Sequence, residues 1–295
     1  MSALDRLVAP FVVLLAAGLW IAYLLDLIPP ALVDLLGRAA PAVLIALGLA
    51  LLLGRRTRYG NLIALSITSA LVGSVVVISF NREANVFRED YVEALEYTLP
   101  PNVTGIRLSA ALRRTEVTVQ AAEGRALSGT FRGSLESLLV PSYRVEGNIA
   151  ILELQETQRE GLLTLDQVGR GRLSLSLPTG VSLDTLRIDV SEGDLSFEAE
   201  QLTLRNVQIA LAQGSLSVQF GRSVGLLADL KASGALSVRL PPDLSAEIAL
   251  RGGGASTPRF DEARYTRRID NVLVPNLGEA QAQLTLEAGG TISVE

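Results

Sequence analysis

The side chains most able to act as a catalytic pair are Lys231 and Ser233, which lie two residues apart. A lysine can activate a serine nucleophile, and this arrangement needs no histidine. On a β-strand, residues two apart share a face, so the two side chains can meet. Nothing else in this region resembles a hydrolase, and we therefore interpret the pair as ordinary surface residues.

Carboxylates recur in two short stretches. Asp184, Asp189 and Asp194 are spaced by five residues, and gathered carboxylates can bind a hard cation. Their spacing is not that of an EF-hand, so the sequence favours a solvated strand face. A second set is interpreted as an exposed loop rather than as a paired general acid and base: Glu153, Glu156 and Glu160.

The composition excludes several kinds of chemistry. The 295-residue chain has no cysteine and no histidine, which removes thiol nucleophiles, disulfides, Cys/His zinc sites and the most common general base. A net charge of −5 makes binding to nucleic acid unfavourable. Gly169-Arg170-Gly171 precedes a predicted strand rather than a helix and does not meet the dinucleotide fingerprint. We predict a non-enzymatic protein with no catalytic residue, no cofactor and no metal.

The first eighty residues predict a membrane domain. Three apolar stretches, at about residues 7–27, 38–54 and 59–80, approach the roughly 20 residues that cross a bilayer. A cleaved signal peptide is the alternative for the first stretch, but no small-residue cleavage pattern follows Asp26. Arg55, Arg56 and Arg58 favour a cytoplasmic connection between the second and third spans. The chain after Asn81 is then expected outside the cytoplasm.

Small residues recur every four positions in the third stretch, at Ser66, Ala70 and Ser74. This spacing lets helix backbones approach closely. We interpret it as packing within the membrane domain, and contact with a partner in the membrane is the alternative.

After a polar linker at residues 81–98, expected to be partly helical around Tyr91 to Tyr97, apolar residues recur at every second position. This period is typical of half-buried strands. Glycine-led units begin at residues 171, 193, 214 and 234, at intervals of 22, 21 and 20 residues. Their letters are nearly the same in three places: GDLSF at 193–197, GSLSVQF at 214–220 and GALSVRL at 234–240.

A fixed period of this length predicts one supersecondary unit per repeat, stacked on its neighbours. Each unit is expected to hold two short strands, of which the first follows the glycine. Its Leu and Val face the core and the intervening Ser faces outward. Pro178 and Pro241-Pro242 are expected at corners, and Gly254-Ala255-Ser256 is a worn further copy. Residues 99–295 are therefore predicted to form a repetitive, β-solenoid-like domain.

The repeat is interrupted at Thr257 to Asn276, before the last predicted strands at Ala280 to Leu286 and Thr291 to Val294. A stack of strands needs protection against edge pairing, so we interpret the interruption as an edge-capping loop. The alternative is a partner-binding loop, because Tyr265 lies among arginines, a composition enriched at interfaces.

The sequence from GRLSLSLPTG at 171–180 to RGGGAS at 251–256 resembles bacterial toast-rack domains and the carboxy-terminal domains of LiaF-type cell-envelope-stress proteins. The segment LPPNVTGIRL at 99–108 resembles the amino-terminal portion of the toast-rack family. The segment PAVLIALGLALLLGRR at 41–56 is similar to the transmembrane region of LiaF-type proteins. The resemblance implies a non-enzymatic accessory that restrains a membrane sensor kinase. The LiaF pattern has an even number of spans and a cytoplasmic β domain, whereas this sequence predicts three spans.

We therefore predict a membrane-anchored, all-β, non-enzymatic protein of the bacterial envelope, with three transmembrane helices before its repetitive domain. Its expected partners are the lipid bilayer and a membrane protein such as a sensor kinase, or a second copy of itself, but not nucleic acid. An extracytoplasmic module that binds or scaffolds glycan or lipid is the alternative.

Overall fold

The structure is a computed structural model of the chain. It describes residues 85–135, 137–158, 169–223, 225–253 and 257–295, together with Ala70, Ser74, Val77 and Ile78. These four residues are helical, and the Ser74 hydroxyl donates to the Ala70 carbonyl at 2.7 Å. Within the described part of the chain, no helix combines the length and apolarity that a membrane crossing needs. The predicted spans, including Ser66, otherwise lie outside the described residues.

From Phe87 onward the described chain consists of strands and turns without an α-helix, and Phe87–Gly161 with Gly169–Glu295 forms one compact unit. Alternating apolar residues, broken by Gly and Pro, account for strands of this length. The strands are β1 (Tyr91–Thr98), β2 (Gly105–Ala122), β3 (Ala126–Gly133), β4 (Ser137–Glu146), β5 (Ile149–Gln158), β6 (Gly171–Pro178), β7 (Ser182–Glu192), β8 (Leu195–Ala199), β9 (Leu204–Leu211), β10 (Leu216–Phe220), β11 (Leu227–Ala232), β12 (Leu236–Arg239), β13 (Ala246–Arg251), β14 (Arg259–Phe260), β15 (Tyr265–Arg267), β16 (Val272–Pro275), β17 (Ala282–Ala288) and β18 (Ile292–Val294).

These strands form two sheets around one apolar core. Sheet 1 has the order β1-β3-β6-β2-β8-β10-β12-β18-β14. Sheet 2 has the order β4-β5-β2-β7-β9-β11-β17-β13-β16-β15. The long strand β2 belongs to both, because residues up to Arg114 pair in sheet 2 and residues from Thr115 pair in sheet 1. One strand of each sheet makes a rung, and the rungs stack in parallel, which agrees with the predicted repetitive β architecture.

The glycine-led repeats occupy equivalent positions. Leu216 lies opposite Leu195 on one side and Leu236 on the other, and Leu236 in turn lies opposite Ile292. These residues are buried, while the serine that follows each of them points outward. The predicted inward Leu and outward Ser of the repeat are confirmed. Gly254-Ala255-Ser256, the worn copy, lies outside the described residues.

Rungs stack in chain order only in the middle of the unit. The final rung, β17 with β18, lies between the rung β11/β12 and the rung β13/β14. Strand β2 similarly lies between β5/β6 and β7/β8. Neighbouring repeats in the sequence are therefore not always neighbours in the stack, because any rung with the same inward pattern can fill a parallel slot.

The repeated glycine is explained by the close stacking of corners. Gly214 has a φ of +140°, which L side chains rarely adopt. A Cβ at Gly214 would come within 2.0 Å of the carbonyl oxygen of Gly193 in the rung beside it. Gly234 lies against the Gly214 carbonyl in the same way and donates its N–H to that oxygen at 2.9 Å. Successive rungs thus turn at one place, with no room for a side chain.

Strand β1 corrects one expectation. Tyr91 to Tyr97, placed within the linker and expected to be partly helical, is extended and pairs with β3 over its whole length. The alternation of apolar and polar residues that predicts a strand is not visible in this sequence, because the charged residue Glu93 lies on the inner face together with Leu95. The Tyr91 hydroxyl donates to Glu93 at 2.9 Å, and burial, followed by the bond to Glu93 and its charge, raises the pKa of Tyr91 to about 12.

Candidate functional site

The structure does not bring Lys231 and Ser233 together as a dyad. The Lys231 ammonium lies 3.8 Å from Asp229 and 3.6 Å from Glu287. The Ser233 hydroxyl instead accepts a hydrogen bond from the Gly214 N–H at 3.2 Å. Each residue therefore has a structural partner, and the lysine is not placed to take a proton from the serine.

The three aspartates also stay apart. Asp184 lies at a bulge in β7, 3.8 Å from Arg205, and Asp189 pairs with Arg187 at 2.8 Å. Asp194 lies at a corner and accepts from the Ser215 N–H at 2.7 Å. Across the described ranges, no cluster of three or more acidic side chains is arranged to hold a metal ion.

Glu156 differs from its expected place in an exposed loop. It lies on β5, buried, with only 6 % of its surface exposed. Its carboxylate accepts from the Arg113 N–H at 2.6 Å and the Thr115 hydroxyl at 2.7 Å, and also from the Ser137 hydroxyl. These three donors compensate the burial of the charge. Glu153 is on the outer face of the same strand, and Glu160 lies outside the described residues.

Glu192, at the end of β7, forms a partly buried ion-pair group with two arginines. Arg170 donates to it at 2.8 Å and Arg114 at 3.0 Å. Burial by itself would raise the pKa of the Glu192 carboxyl, but the hydrogen bonds and charges of the two arginines outweigh it and lower that pKa. Arg170 is the central residue of the Gly-x-Gly motif, which leads into strand β6 as expected. This group ties three corners together and contains no nucleophile.

Tyr265 is not an exposed aromatic for a partner. It is 2 % exposed, and the Arg264 guanidinium lies 5.5 Å from its ring centroid. Arg264 also donates to the carbonyl oxygens of Leu240 and Pro241 at 3.1 and 2.8 Å. Strands β15 and β16 form an antiparallel hairpin on β13 at the end of sheet 2. The segment therefore covers the sheet edge, and the described geometry supports the capping interpretation.

A shallow groove of about 310 Å³ runs across the outer face of sheet 1. It crosses β2, β8, β10 and β12. Its floor is made of small and hydroxyl side chains, and two carboxylates lie along one side. The polar and small lining residues are Glu116, Thr118, Asp194, Ser196, Ser215, Ser217, Ala235 and Ser237.

The central residues of this groove belong to a longer row, here called the hydroxyl row, which consists of Ser174, Thr118, Ser196, Ser217, Ser237 and Ser293. Each member lies directly opposite the next on the neighbouring strand. All six are at least partly exposed. Their regular spacing follows from the in-register stacking of the repeats, about 4.8 Å per strand.

Within the described residues, none of the six hydroxyls makes a side-chain hydrogen bond to the protein, although their neighbours do. Each hydroxyl can donate one bond and accept others. The row is therefore a set of available polar groups on a rigid sheet. The sequence placed the repeat serines on the outer face, but it did not show that Ser174 and Thr118 extend the row, because those strands join by long-range pairing.

Beyond one side of the groove, the next outward-facing positions of β8, β10 and β12 carry the longer side chains Glu198, Gln219 and Arg239. The other side has Glu116 and Asp194, and Arg172 lies 3.5 Å from Glu116. Among the residues that the structure describes, no aromatic side chain lines the groove. The arrangement can form hydrogen bonds along a line, and among the described residues around it no group of three acidic side chains could hold a metal ion.

The two-sheet stack defines this molecule as a solenoid-like β-repeat protein. A solved structure of a proposed cell adhesion protein from Clostridium sporogenes is similar, with a TM-score of 0.57 and 15% identity, covering 69% of this chain and 99% of that one. A proposed adhesin from Bacteroides fragilis has 12% identity and a TM-score of 0.30, covering 70% of this chain and 98% of its own. A proposed adhesin from Parabacteroides merdae has 8% identity and a TM-score of 0.16, covering 72% of this chain and 99% of its own.

The Clostridium structure shows that the β fold is shared, and the other two TM-scores are too low to support an argument. No protein-family model matches the sequence, and no curated protein matches it significantly.

Proposed function

We propose that this chain is a non-enzymatic, membrane-anchored β-repeat protein of the bacterial envelope that acts by surface contact in sensing or regulating envelope stress. The observation that carries the proposal is the outer face of sheet 1, where ordered, available hydroxyls cover a core filled with apolar side chains. Such a face suits recognition rather than bond making, because catalysis needs a positioned acid, base or nucleophile.

Two further points support the contact role. The described acidic and basic residues that sequence analysis singled out make ion pairs or hydrogen bonds within the β unit, which favours structural roles for them. The chain also shares its fold with the protein from Clostridium sporogenes that is described as a proposed cell adhesion protein. We place the anchor in the apolar stretches before residue 81 and the β unit outside the cytoplasm. The proposed partner is a membrane protein such as a sensor kinase, or a second copy.

The test is a deletion strain exposed to envelope-active compounds, with genome-wide transcripts as the readout. We expect the deletion to change the stress-responsive pattern and the unaltered gene to restore it. Ser217→Arg, which fills the groove, is expected not to restore it. Thr285→Arg, on the outer face of sheet 2, is expected to restore it as a matched control. In the strain that carries the unaltered gene, protease added to intact cells should cleave the β unit.

An unchanged transcript pattern in the deletion strain would overturn the regulatory role. Full restoration by the Ser217 variant would show that sheet 1 is not the contact face. A β unit cleaved only after cell lysis would overturn the proposed side of the membrane.

A further inference from the structure

The geometry points to a binding site for a linear β-1,4-linked glycan along the hydroxyl row of sheet 1. This inference rests on the proposed contact role and goes beyond it, because it names a ligand for the face of sheet 1 in addition to the membrane-protein partner. The sugar chain lies across the strands, parallel to the stacking direction. It contacts Thr118, Ser196, Ser217 and Ser237 in the groove and extends toward Ser174 and Ser293 at the two ends.

The spacing of the row selects a polymer with a short, regular repeat. Neighbouring strands are about 4.8 Å apart, so the four grooved strands span about 14 Å. A β-1,4-linked chain is extended and advances by a similar distance per sugar. Alternate sugars are turned over, but each carries hydroxyls on both of its edges, so successive sugars can each place a hydroxyl near one member of the row. An α-linked chain coils away from a flat surface. The in-register pairs Ser196–Ser217 and Ser217–Ser237 keep this match over several sugars.

The chemistry of the lining favours sugar hydroxyls. Serine and threonine hydroxyls both donate and accept, as sugar hydroxyls do. The six members of the row make no side-chain bond within the described protein, so binding does not require an internal bond to break. Because the described lining residues of the groove include no aromatic side chain, the glycan is held by hydrogen bonds in a line rather than by stacking on a ring.

The charges of the groove exclude other polymers. The charged residues that line it, Glu116 and Asp194, are both acids. The arginines nearby are each matched by an acid, because Arg172 lies 3.5 Å from Glu116 and Arg239 lies 2.9 Å from Glu295, so the acids around the groove outnumber the bases. A polyanion such as an acidic polysaccharide or a nucleic acid would be repelled, whereas a neutral glycan would not. An extended peptide would use its main chain at a sheet edge, but this groove lies on the face, where the strand backbones are already paired. A neutral glycan is the occupant that meets these conditions.

The test is calorimetric titration of the full-length chain in detergent with two probes, the hexamers of β-1,4-linked glucose and of β-1,4-linked N-acetylglucosamine. We expect at least one hexamer to bind, and its trimer to bind more weakly because it covers fewer strands. The two hexamers distinguish a plain glucan from an N-acetylated chain. Polygalacturonate, a polyanion, is expected not to bind.

Ser196→Ala, Ser217→Ala and Ser237→Ala together remove three hydroxyls of the row, and we expect them to weaken hexamer binding at least about tenfold. The matched control combines Ser109→Ala, Thr185→Ala and Thr285→Ala on the outer face of sheet 2, and it should stay within about twofold of the unaltered chain. Circular dichroism checks that both variants fold, as expected for outward-facing residues.

The inference fails if neither hexamer binds, if both triple variants lose binding equally, or if polygalacturonate binds as well as the neutral probes. These results are separate from the transcript response of the deletion strain. An altered response without hexamer binding would leave the contact role in place with a different ligand, whereas hexamer binding with an unchanged response would retain the site and remove the regulatory role.

Discussion

Individual carboxylates show how this protein places charge near its core. Glu156 lies on an inner position of β5 after Leu152 and Leu154, and it is retained there by three hydrogen-bond donors. Glu192 lies at a corner and is held by two arginines. The strand period contained the signal for Glu156, since every second residue from Leu152 points inward. The compensating donors come from β2 and β4, distant in sequence, so sequence analysis did not identify them.

Glu192 gives a prediction for the pH dependence of stability. The arginines lower the pKa of its carboxyl in the folded chain, so the unfolded chain binds the proton more readily. The stabilisation is complete above the unfolded value, near 4.5, and is lost as the pH falls through the lowered folded value. We expect Glu192→Gln to reduce the free energy of unfolding by about 1–2 kcal/mol at neutral pH and to flatten its decline in acid.

Urea unfolding followed by circular dichroism at several pH values measures this effect. Glu146→Gln is the control, because the pair of Glu146 with Arg144 is solvent-exposed and such pairs contribute little. Equal pH profiles for the Glu192 variant and the unaltered chain would contradict the assignment.

At the scale of elements, the strand–corner–strand rung depends on its glycine. The corner at Gly214 combines a φ of +140° with a carbonyl 2.0 Å from the position of a Cβ. Strain of this kind costs about 1–3 kcal/mol, and the backbone contact adds to it because both rungs must shift. We expect Gly214→Ala to lower the free energy of unfolding by more than about 2 kcal/mol, as measured by urea unfolding.

Gly124 separates the two causes. It has a φ of +101°, but a Cβ there would meet no atom within 4 Å. Gly124→Ala should therefore cost only the conformational strain, about 1–2 kcal/mol. If the two alanine variants were equally stable, close stacking of corners would not be the reason for the repeated glycine.

At the scale of the molecule, the order of the rungs determines how the end of the stack is held. Strand β17 pairs with β11 on one side and β13 on the other. Removing residues 280–295 should leave β13 and β14 without their parallel neighbours β17 and β18, and the hairpin β15/β16 then rests on an unsupported β13. We expect limited proteolysis of this variant to digest the chain back to about Leu240, where the intact stack ends at β12.

A matched variant replaces residues 259–276 with a short linker and removes β14, β15 and β16 but keeps β17. It should remain resistant through β13, because the pairing of β13 with β17 is untouched. Similar digestion of both variants would contradict the inserted position of the last rung.

Local sequence patterns, namely the alternation of apolar residues and the glycine period, predicted much of the architecture. The alternation Leu216, Val218, Phe220 and its counterpart Leu236, Val238, Leu240 predicted inward positions that are buried, and the glycine period predicted the corners. Such features depend on neighbours in the chain, so the sequence determined the strands, their inner faces and the outward repeat serines. It also excluded cysteine and histidine chemistry.

The tertiary structure alone decided which rung lies beside which, and therefore what the surface can bind. Parallel strands with the same inward pattern fit several slots, and the insertions of β2 and of β17/β18 are selected by contacts between residues far apart in sequence. The row that joins Ser174 and Thr118 to the repeat serines exists only because of this order. Local periodicity fixes which way a side chain points, whereas long-range pairing fixes its neighbours.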